Sequence, residues 1–489
     1  MDLTLEEHRR SRTATSAAVH PELYRHGFAV AMASRRMDPA VVPAAWRTVH
    51  LPGLVLHYDP GTTLLQSRSR IRTILAVGFL YAVDGSSAAR IVDELATVPA
   101  GEFHDQLDRL SGRFLLVRWD AGGSPALYHD AVGSRSIFYS LEVPGVAASH
   151  SHLLAAIVQA PRDPAVSTFM SRPEYQARTV KYLPGDLTPW TGIRTLVPNN
   201  CLDLARSATR RYWPRTLQCP TDFDRFAAAF DEHVGALGKA MVAEGTTPVF
   251  GMTAGVDCRS LFSAFKHKGV GFEGVTWRGS YLKDVEIPVV DEIVRHLGAS
   301  HAYVDPRPEA DAVARRAGIN SGCFRGGSRL TAGMHARYAH RRDTMFVRGY
   351  AGEVIRGFYS LHRNPMGDLS VDEMVRAYGS SIRGCDPSAA YREACGTWFR
   401  DYAHRANLDR IPPGFDAVAD LFYWEHRMGM WASAMLNEMD SAIRSVIAIN
   451  GRRLFALGWG LPRKERLAKS LLLRVTARYD EALARLPCH

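Results

Sequence analysis

The sequence predicts two units of different class: an antiparallel, β-rich first half, and an α/β second half built on a parallel sheet and ending in helices. Three observations carry this. Residues 1–210 read as short apolar runs broken by Gly, Pro, Ser and Asp, such as 113–119 (RFLLVRW), 126–129 and 136–140. Such runs favour strands, and their breakers favour turns. From about residue 220 short apolar strands alternate with amphipathic helices, the pattern of a doubly wound parallel sheet. From about 370 helical patterns dominate. A chain of 489 residues suits two or three domains, divided here as 1–210 and 220–489.

Composition bounds the function. The chain is 46% hydrophobic and 10% aromatic, enough for sizeable cores and unlike a disordered chain. No apolar run reaches about 18 residues, so no transmembrane helix is expected. The first twelve residues, MDLTLEEHRRSR, are charged and lack an apolar signal core, so a cytoplasmic protein without a membrane partner is expected. The seven cysteines, at 201, 219, 258, 323, 385, 395 and 488, form no CxxC pair. Neither a zinc site nor a redox dithiol is indicated, and reduced structural thiols are expected. The formal charge of +10 comes from 53 arginines and seven lysines against 50 acids. Arginine dominance reflects a GC-rich genome as readily as a function. No dense basic run appears, so nucleic acid is not the expected partner; the positive balance mildly favours an anionic substrate or a peptide.

In the second half, strand 247–252 (TPVFGM) runs into Thr253-Ala254-Gly255-Val256-Asp257-Cys258, and a helix over 259–268 follows. Strand 273–277, a helix over 285–297 and strand 302–304 come next. A tight strand-to-helix turn points several backbone N–H groups at one spot, and the helix dipole adds positive potential, so the turn suits phosphate. Gly255 allows close approach of the backbone. Asp257 offers a hard oxygen for Mg²⁺ bound to phosphates. The alternative is an ordinary turn with a capping Asp.

This hexapeptide resembles the Ser-Gly-Gly-x-Asp-Ser pyrophosphate loop of the asparagine-synthetase-like ATP pyrophosphatases, a group that includes β-lactam synthetases and lasso-peptide cyclases. The stretch that follows is similar to that family too: Asp284 and Glu286, then Leu297-Gly298, then His301 occur in its order. The two acids are equally explained as solvated helix-start residues favoured by the dipole. Two positions depart from the family: Ala254 replaces the second Gly, and Cys258, a weaker donor, replaces the last Ser.

A second loop, 344–359 (TMFVRGYAGEVIRGFY), carries Gly349, Gly352 and Gly357. It resembles the family's Gly-rich segment with acidic metal or pyrophosphate contacts. The resemblance makes Glu353 a second metal ligand beside Asp257, and Gly349 and Gly352 nucleotide contacts. Tyr350 resembles the β-lactam synthetase tyrosine that helps deprotonate an amine. A free tyrosine titrates near 10 and needs a partner for that role; Glu425 and Glu438 lie in a suitable helical region. Packing over the loop is the other reading of Tyr350.

Residues 423–462 resemble the family's C-terminal helices, with Arg444 and Asn450 in its order and Asn450 standing where the family has Asp. Periodic Met, Trp and Leu there are also what a plain core requires. The family's acyl-adenylate lysine is best matched by Lys469, with Lys464 the alternative. A cation at that point opposes charge building on phosphate and carboxylate; a snorkelling helix lysine is the plain alternative.

The stretch 112–139 resembles the family's glutaminase domain through Asp130, Gly133, Arg135, Phe138 and Tyr139, and 182–204 resembles the segment leading out of it. The resemblance therefore implies an Ntn-like, class II glutaminase-type sandwich of α+β class, followed by a synthetase domain with a pyrophosphate loop and a helical C-terminus. An active glutaminase of this kind needs a cysteine as residue 1, whose α-amine serves as base. This sequence begins Met-Asp-Leu and its first cysteine is Cys201, so a degenerate, non-hydrolysing domain is expected.

The implied activity is AMP-forming amide ligation with ATP and Mg²⁺. Thr253, Ala254, Gly255, Asp257 and Cys258 would hold pyrophosphate, Asp257 and Glu353 the metal, and Tyr350, Glu353 and Lys469 would act on the reacting groups. A substrate carboxylate is adenylated, and an amine then attacks it, giving a lactam, a macrolactam or an amide. The carboxylate belongs to a small amino acid or to a precursor peptide, as in lasso cyclases. A tRNA-modifying ATP pyrophosphatase and an inactive scaffold are the rivals. The glutaminase-like first half opposes the first, and retention of Gly255, Asp257 and Glu353 opposes the second.

Overall fold

The computed structural model describes residues 19–488 apart from 36, 280, 281, 283, 308–310, 325–327, 362–365 and 468. Residues 1–12, on which the expected loss of glutaminase activity turned, lie outside them. In chain order the strands of the first half are β1 Phe28–Met32, β2 Arg47–Leu51, β3 Leu54–Tyr58, β4 Leu64–Arg68, β5 Arg72–Ala82, β6 Leu110–Asp120, β7 Ala126–His129, β8 Phe138–Ser140, β9 Val146–Ala148, β10 Ile193–Thr195, β11 Asn200–Asp203 and β12 Ala208–Arg211. Those of the second half are β13 Thr247–Gly251, β14 Glu273–Trp277, β15 Ser300–Val304, β16 Thr344–Arg348 and β17 Arg444–Ile447.

The first twelve strands make two antiparallel sheets, in the orders β10-β8-β9-β1-β3-β2 and β12-β11-β7-β6-β5-β4. Their facing apolar side chains share one core, with Val30, Leu54 and Leu56 from the first sheet and Leu75, Val77, Leu115 and Val117 from the second. β3 alternates buried and half-buried positions, as a strand with one packed face should. β5 and β6 are buried on both faces. The reason is that Ile74, Ala76, Phe114 and Leu116 pack outward into a core shared with Phe226, Phe230, Trp424 and Phe455 of the second half. Strands covered on both sides need continuous apolar sequence, which is why 114–117 (FLLV) reads as an unbroken run.

Buried polar contacts fix the two halves together. The Arg113 guanidinium of β6 donates to Asp440 at 2.6 Å and to Asn437 at 2.7 Å. Asn450, standing where the resemblance expected Asp, donates to the Gly112 carbonyl at 2.6 Å and to Asp130 at 2.9 Å, and accepts from the Val132 amide at 2.8 Å. An amide can donate to an anion and a carbonyl while accepting from an N–H; a carboxylate cannot donate at all. Asp130 also accepts the amides of Ser134 and Arg135, which closes the turn holding Gly133 at φ +72°.

The second half carries a five-stranded parallel sheet in the order β15-β14-β13-β16-β17. From β13 the chain steps outward through β14 and β15. It then returns to the other side of β13 for β16 and β17. The order therefore reverses between β13 and β16, and in open parallel sheets ligands bind at the carboxyl ends of the strands at such a point. Helix Val256–His267 follows β13 and helix Ile287–Leu297 follows β14. Among the described residues no helix is long and apolar enough to cross a membrane.

Candidate active site

Two loops meet at the switch point. The first leaves β13 at Met252 and enters the helix Val256–His267, whose N-cap is Gly255 without a side-chain capping bond. Asp257 sits inside the first turn and does not cap the helix, which removes the plain capping explanation for it. Thr253 is exposed, and its hydroxyl accepts the Gly255 amide at 3.2 Å. Ala254 is fully buried and its carbonyl accepts from Arg259 at 3.0 Å. The unpaired first-turn amides point outward from this turn, as helix geometry requires.

The second loop leaves β16 at Gly349 and enters the short helix Gly352–Arg356. It lies directly on the first. A Cβ at Gly349 would stand 3.1 Å from Cβ of Asp257 and from the Cys258 amide nitrogen. A Cβ at Gly352 would stand 2.1 Å from Oδ1 of Asp257. Gly352 is therefore required by the close approach of Asp257, and Gly349 is tightly packed against the same turn.

The two predicted acids share one cation. Arg356 donates to Oδ1 of Asp257 at 3.1 Å and to Oδ2 at 2.8 Å, and lies 3.8 Å from Glu353. The side chains of Asp257 and Glu353 keep 25% and 33% of their surface. Burial pushes the Asp257 carboxyl up to about 6, against the pull of Arg356 and with a smaller push from Glu353. Burial also raises the Cys258 thiol, so Cys258 is a neutral S–H donor at this turn. Among the described residues no group of three or more His, Cys, Asp or Glu side chains is arranged to hold a metal. Two carboxylates converging on one guanidinium do fit a divalent ion that arrives with phosphate oxygens completing its shell.

The tyrosine–glutamate pair differs from the expectation. The glutamate that receives a phenol is Glu353, and the phenol is that of Tyr423. Burial and the Glu353 charge raise the Tyr423 hydroxyl well above its ordinary range, so it stays protonated and donates. Glu425 is instead a structural ion: it pairs with Arg211 at 2.6 and 2.8 Å and accepts from Asn199 at 2.9 Å, all buried. Glu438 is buried and accepts from Thr331 at 3.4 Å. Tyr350 packs its ring 4.9 Å from Trp431 and beneath the Arg348 guanidinium at 4.0 Å.

Of the two lysines, Lys464 is exposed on the short helix Arg463–Arg466. Lys469 precedes the helix Ser470–Tyr479, and its ammonium donates to the Cys488 carbonyl at 3.1 Å. Leu472 of that helix reaches the Gly352 loop, so Lys469 belongs to an element touching the site. Asp284 is exposed and stands apart from these contacts. His301 accepts or donates to the Thr276 hydroxyl at 2.8 Å, which bonds the Met252 carbonyl. It thus braces the strand ends beneath the first loop.

Sequence reasoning missed Arg356, Tyr423, Arg348 and Arg427. Arg356 follows Glu353 by three residues on one helical turn, a spacing that brings side chains together, and was legible. Tyr423 and Arg427 lie on a wide, i→i+5 helix over Tyr423–Ala432. Such segments often mark functional sites, but no sequence pattern announces them.

No family model matches the chain, and no curated protein matches it. Among solved structures, the chain is similar to the NMN synthetase from Francisella tularensis at 13% identity, over 42% of this chain and 94% of that one, with a TM-score of 0.23. At that score the likeness carries no weight, and the reading rests on the geometry above.

Proposed function

We propose that this chain is an ATP-dependent, AMP-forming amide ligase of the asparagine-synthetase-like kind. Its parallel-sheet unit is read as the pyrophosphate-loop synthetase domain and its first half as a glutaminase-type domain. The observation that carries the reading is the convergence at the switch point. A strand–turn–helix loop and a glycine loop from the neighbouring strand press together, and their acids, Asp257 and Glu353, share Arg356.

Thr253, Gly255 and the first-turn amides receive pyrophosphate oxygens. Asp257 and Glu353 would hold the nucleotide's Mg²⁺, which would supply positive charge against the phosphates. Arg356, released from the acids, turns its charge toward the phosphates. Tyr423 keeps Glu353 oriented by donating to it. Lys469 leaves the Cys488 carbonyl to oppose charge on the acyl phosphate. The substrate carboxylate attacks the α-phosphate and pyrophosphate leaves; an amine then attacks the acyl carbon, giving the amide, AMP and a proton.

ATP–pyrophosphate exchange with a set of carboxylic and amino acids tests this directly. Exchange is expected with at least one acid, with AMP as the nucleotide product. It should fall roughly a thousandfold in Asp257→Asn, as loss of a metal-bearing carboxylate implies. ADP and phosphate as products, or normal exchange in that variant, would refute the reading.

A further inference from the structure

The nucleotide reading leaves two cations unused, Arg348 half-buried and Arg427 buried. Arg348 ends β16, immediately before Gly349, at the carboxyl end of the sheet. Its guanidinium lies 4.8 Å from the Trp277 ring centroid, 4.6 Å from that of Phe346 and 4.0 Å from that of Tyr350. Arg427, with 9% of its surface exposed, lies 4.5 Å from the Phe358 ring and 5.5 Å from that of Trp431. The Tyr350–Trp431 ring pair, 4.9 Å apart, connects the two. Among the described residues neither guanidinium has a hydrogen bond or a direct ion pair; Arg427 feels the Glu353 carboxylate only through space, and its Nε is buried without a partner.

Two deeply buried arginines of the interface have close acceptors. Arg113 has Asp440 and Asn437, and Arg211 has Glu425. Burying a guanidinium is costly unless an anion or acceptor compensates. Aromatic faces offset part of that cost and leave the N–H edges unsatisfied. Burial lowers Arg348 to about 10, which leaves it fully charged at neutral pH. Such a pair of cations, walled by aromatic rings at a strand's carboxyl end, is complementary to a missing anion with an apolar or planar body.

We propose that Arg348 and Arg427, with the Tyr350–Trp431 pair between them, form the subsite for the acid substrate: a carboxylate attached to a planar or apolar group. This rests on the ligase reading and narrows it, because it names the substrate class and gives Tyr350 a wall-forming, substrate-contacting role. The carboxylate is held by the planar N–H edges that stacking leaves free, and the body lies against the rings. The other source of an anion here is the phosphate chain of ATP, and the test separates the two.

Phenylacetate and its neutral isostere phenylacetamide are the probes. Their binding to the full-length protein is followed by tryptophan fluorescence and by ligand-observed NMR, and Mg·ATP binding is measured in parallel by calorimetry. Phenylacetate is expected to bind saturably and at least tenfold more tightly than phenylacetamide. Arg348→Gln and Arg427→Gln should each weaken phenylacetate at least tenfold while changing Mg·ATP affinity less than threefold. Arg348→Lys should recover part of the loss. Equal binding of acid and amide, no binding of either, or unchanged phenylacetate binding in both variants would overturn the proposal. It is also overturned if both variants lose Mg·ATP as strongly as Asp257→Asn does, since the arginines would then serve the nucleotide. If the wild type binds no Mg·ATP but discriminates acid from amide through both arginines, the ligase reading falls and the subsite stands. The acid–amide comparison uses only the wild-type protein, so a variant that folds poorly does not remove the test.

Discussion

Replacing Gly352 with Ala tests the loop-to-loop contact without changing a charge. The new Cβ would stand 2.1 Å from Oδ1 of Asp257, 3.0 Å from its Cγ and 3.3 Å from Cδ1 of Leu472. An ordinary contact begins at 3.4 Å, so the worst overlap is about 1.3 Å. The backbone at Gly352 is helical, so the substitution carries no conformational strain of its own. Either Asp257 rotates away and gives up its bonds to Arg356 at 3.1 and 2.8 Å, or the two loops separate. Both outcomes remove a carboxylate from the nucleotide's metal. Bonds to charged groups contribute about 1.5–3 kcal/mol, so Mg·ATP affinity should fall about 10- to 150-fold. Calorimetric titration of Mg·ATP measures this, with circular dichroism and thermal melting to show that the fold persists. Gly367→Ala is the control, because a Cβ there meets nothing within 4 Å. Unchanged Mg·ATP affinity in Gly352→Ala, with a native fold, would refute the claim that this contact builds the site.

Other outcomes follow from the same geometry. Burial pushes the Asp257 carboxyl up to about 6, so its metal-holding form is half-populated there and predominates as pH rises further. Mg·ATP affinity should drop as pH falls through 6, by up to about tenfold per unit, and Asp257→Asn should flatten this limb beyond the nucleotide's own titration; an unchanged profile in the variant would refute the assignment. Asn450→Asp puts a second carboxylate against Asp130 and the Gly112 carbonyl in a fully buried position. It should cost about 3 kcal/mol or more at neutral pH, seen as a lower denaturation midpoint, and a midpoint equal to wild type would contradict the donor role of Asn450. Glu425→Gln leaves Arg211 buried without its counter-ion and should destabilise by about 3 kcal/mol. A variant of normal stability that lost activity would return Glu425 to a chemical role.

Much of the architecture was readable one segment at a time, because its signals are local. Strand positions 126–129 and 273–277, the turn 253–258 and the helix after it follow from runs, breakers and periodicity that neighbours in sequence impose. The turn around Asp257 was legible from its strand–turn–helix pattern, whereas Glu353 and the glycines at 349 and 352 were singled out by the family resemblance. The convergence of the two loops was not legible. It depends on the strand order β15-β14-β13-β16-β17, which pairs residues about a hundred positions apart. The partner of each charged group was hidden likewise. Nothing near Glu425 announces Arg211, and nothing near Glu353 announces Tyr423, since both pairings cross between elements that only packing brings together. The same holds for Arg348 and Arg427. In the sequence they are two arginines among fifty-three; packing against aromatic rings, without a hydrogen-bonded acid, is what distinguishes them. The sequence by itself determined which segments form strands, turns and helices and which residue types are available for chemistry, because those depend on local sterics and apolar spacing. Tertiary structure alone decided which charges are satisfied and which are left for a ligand, because desolvation and pairing act through space.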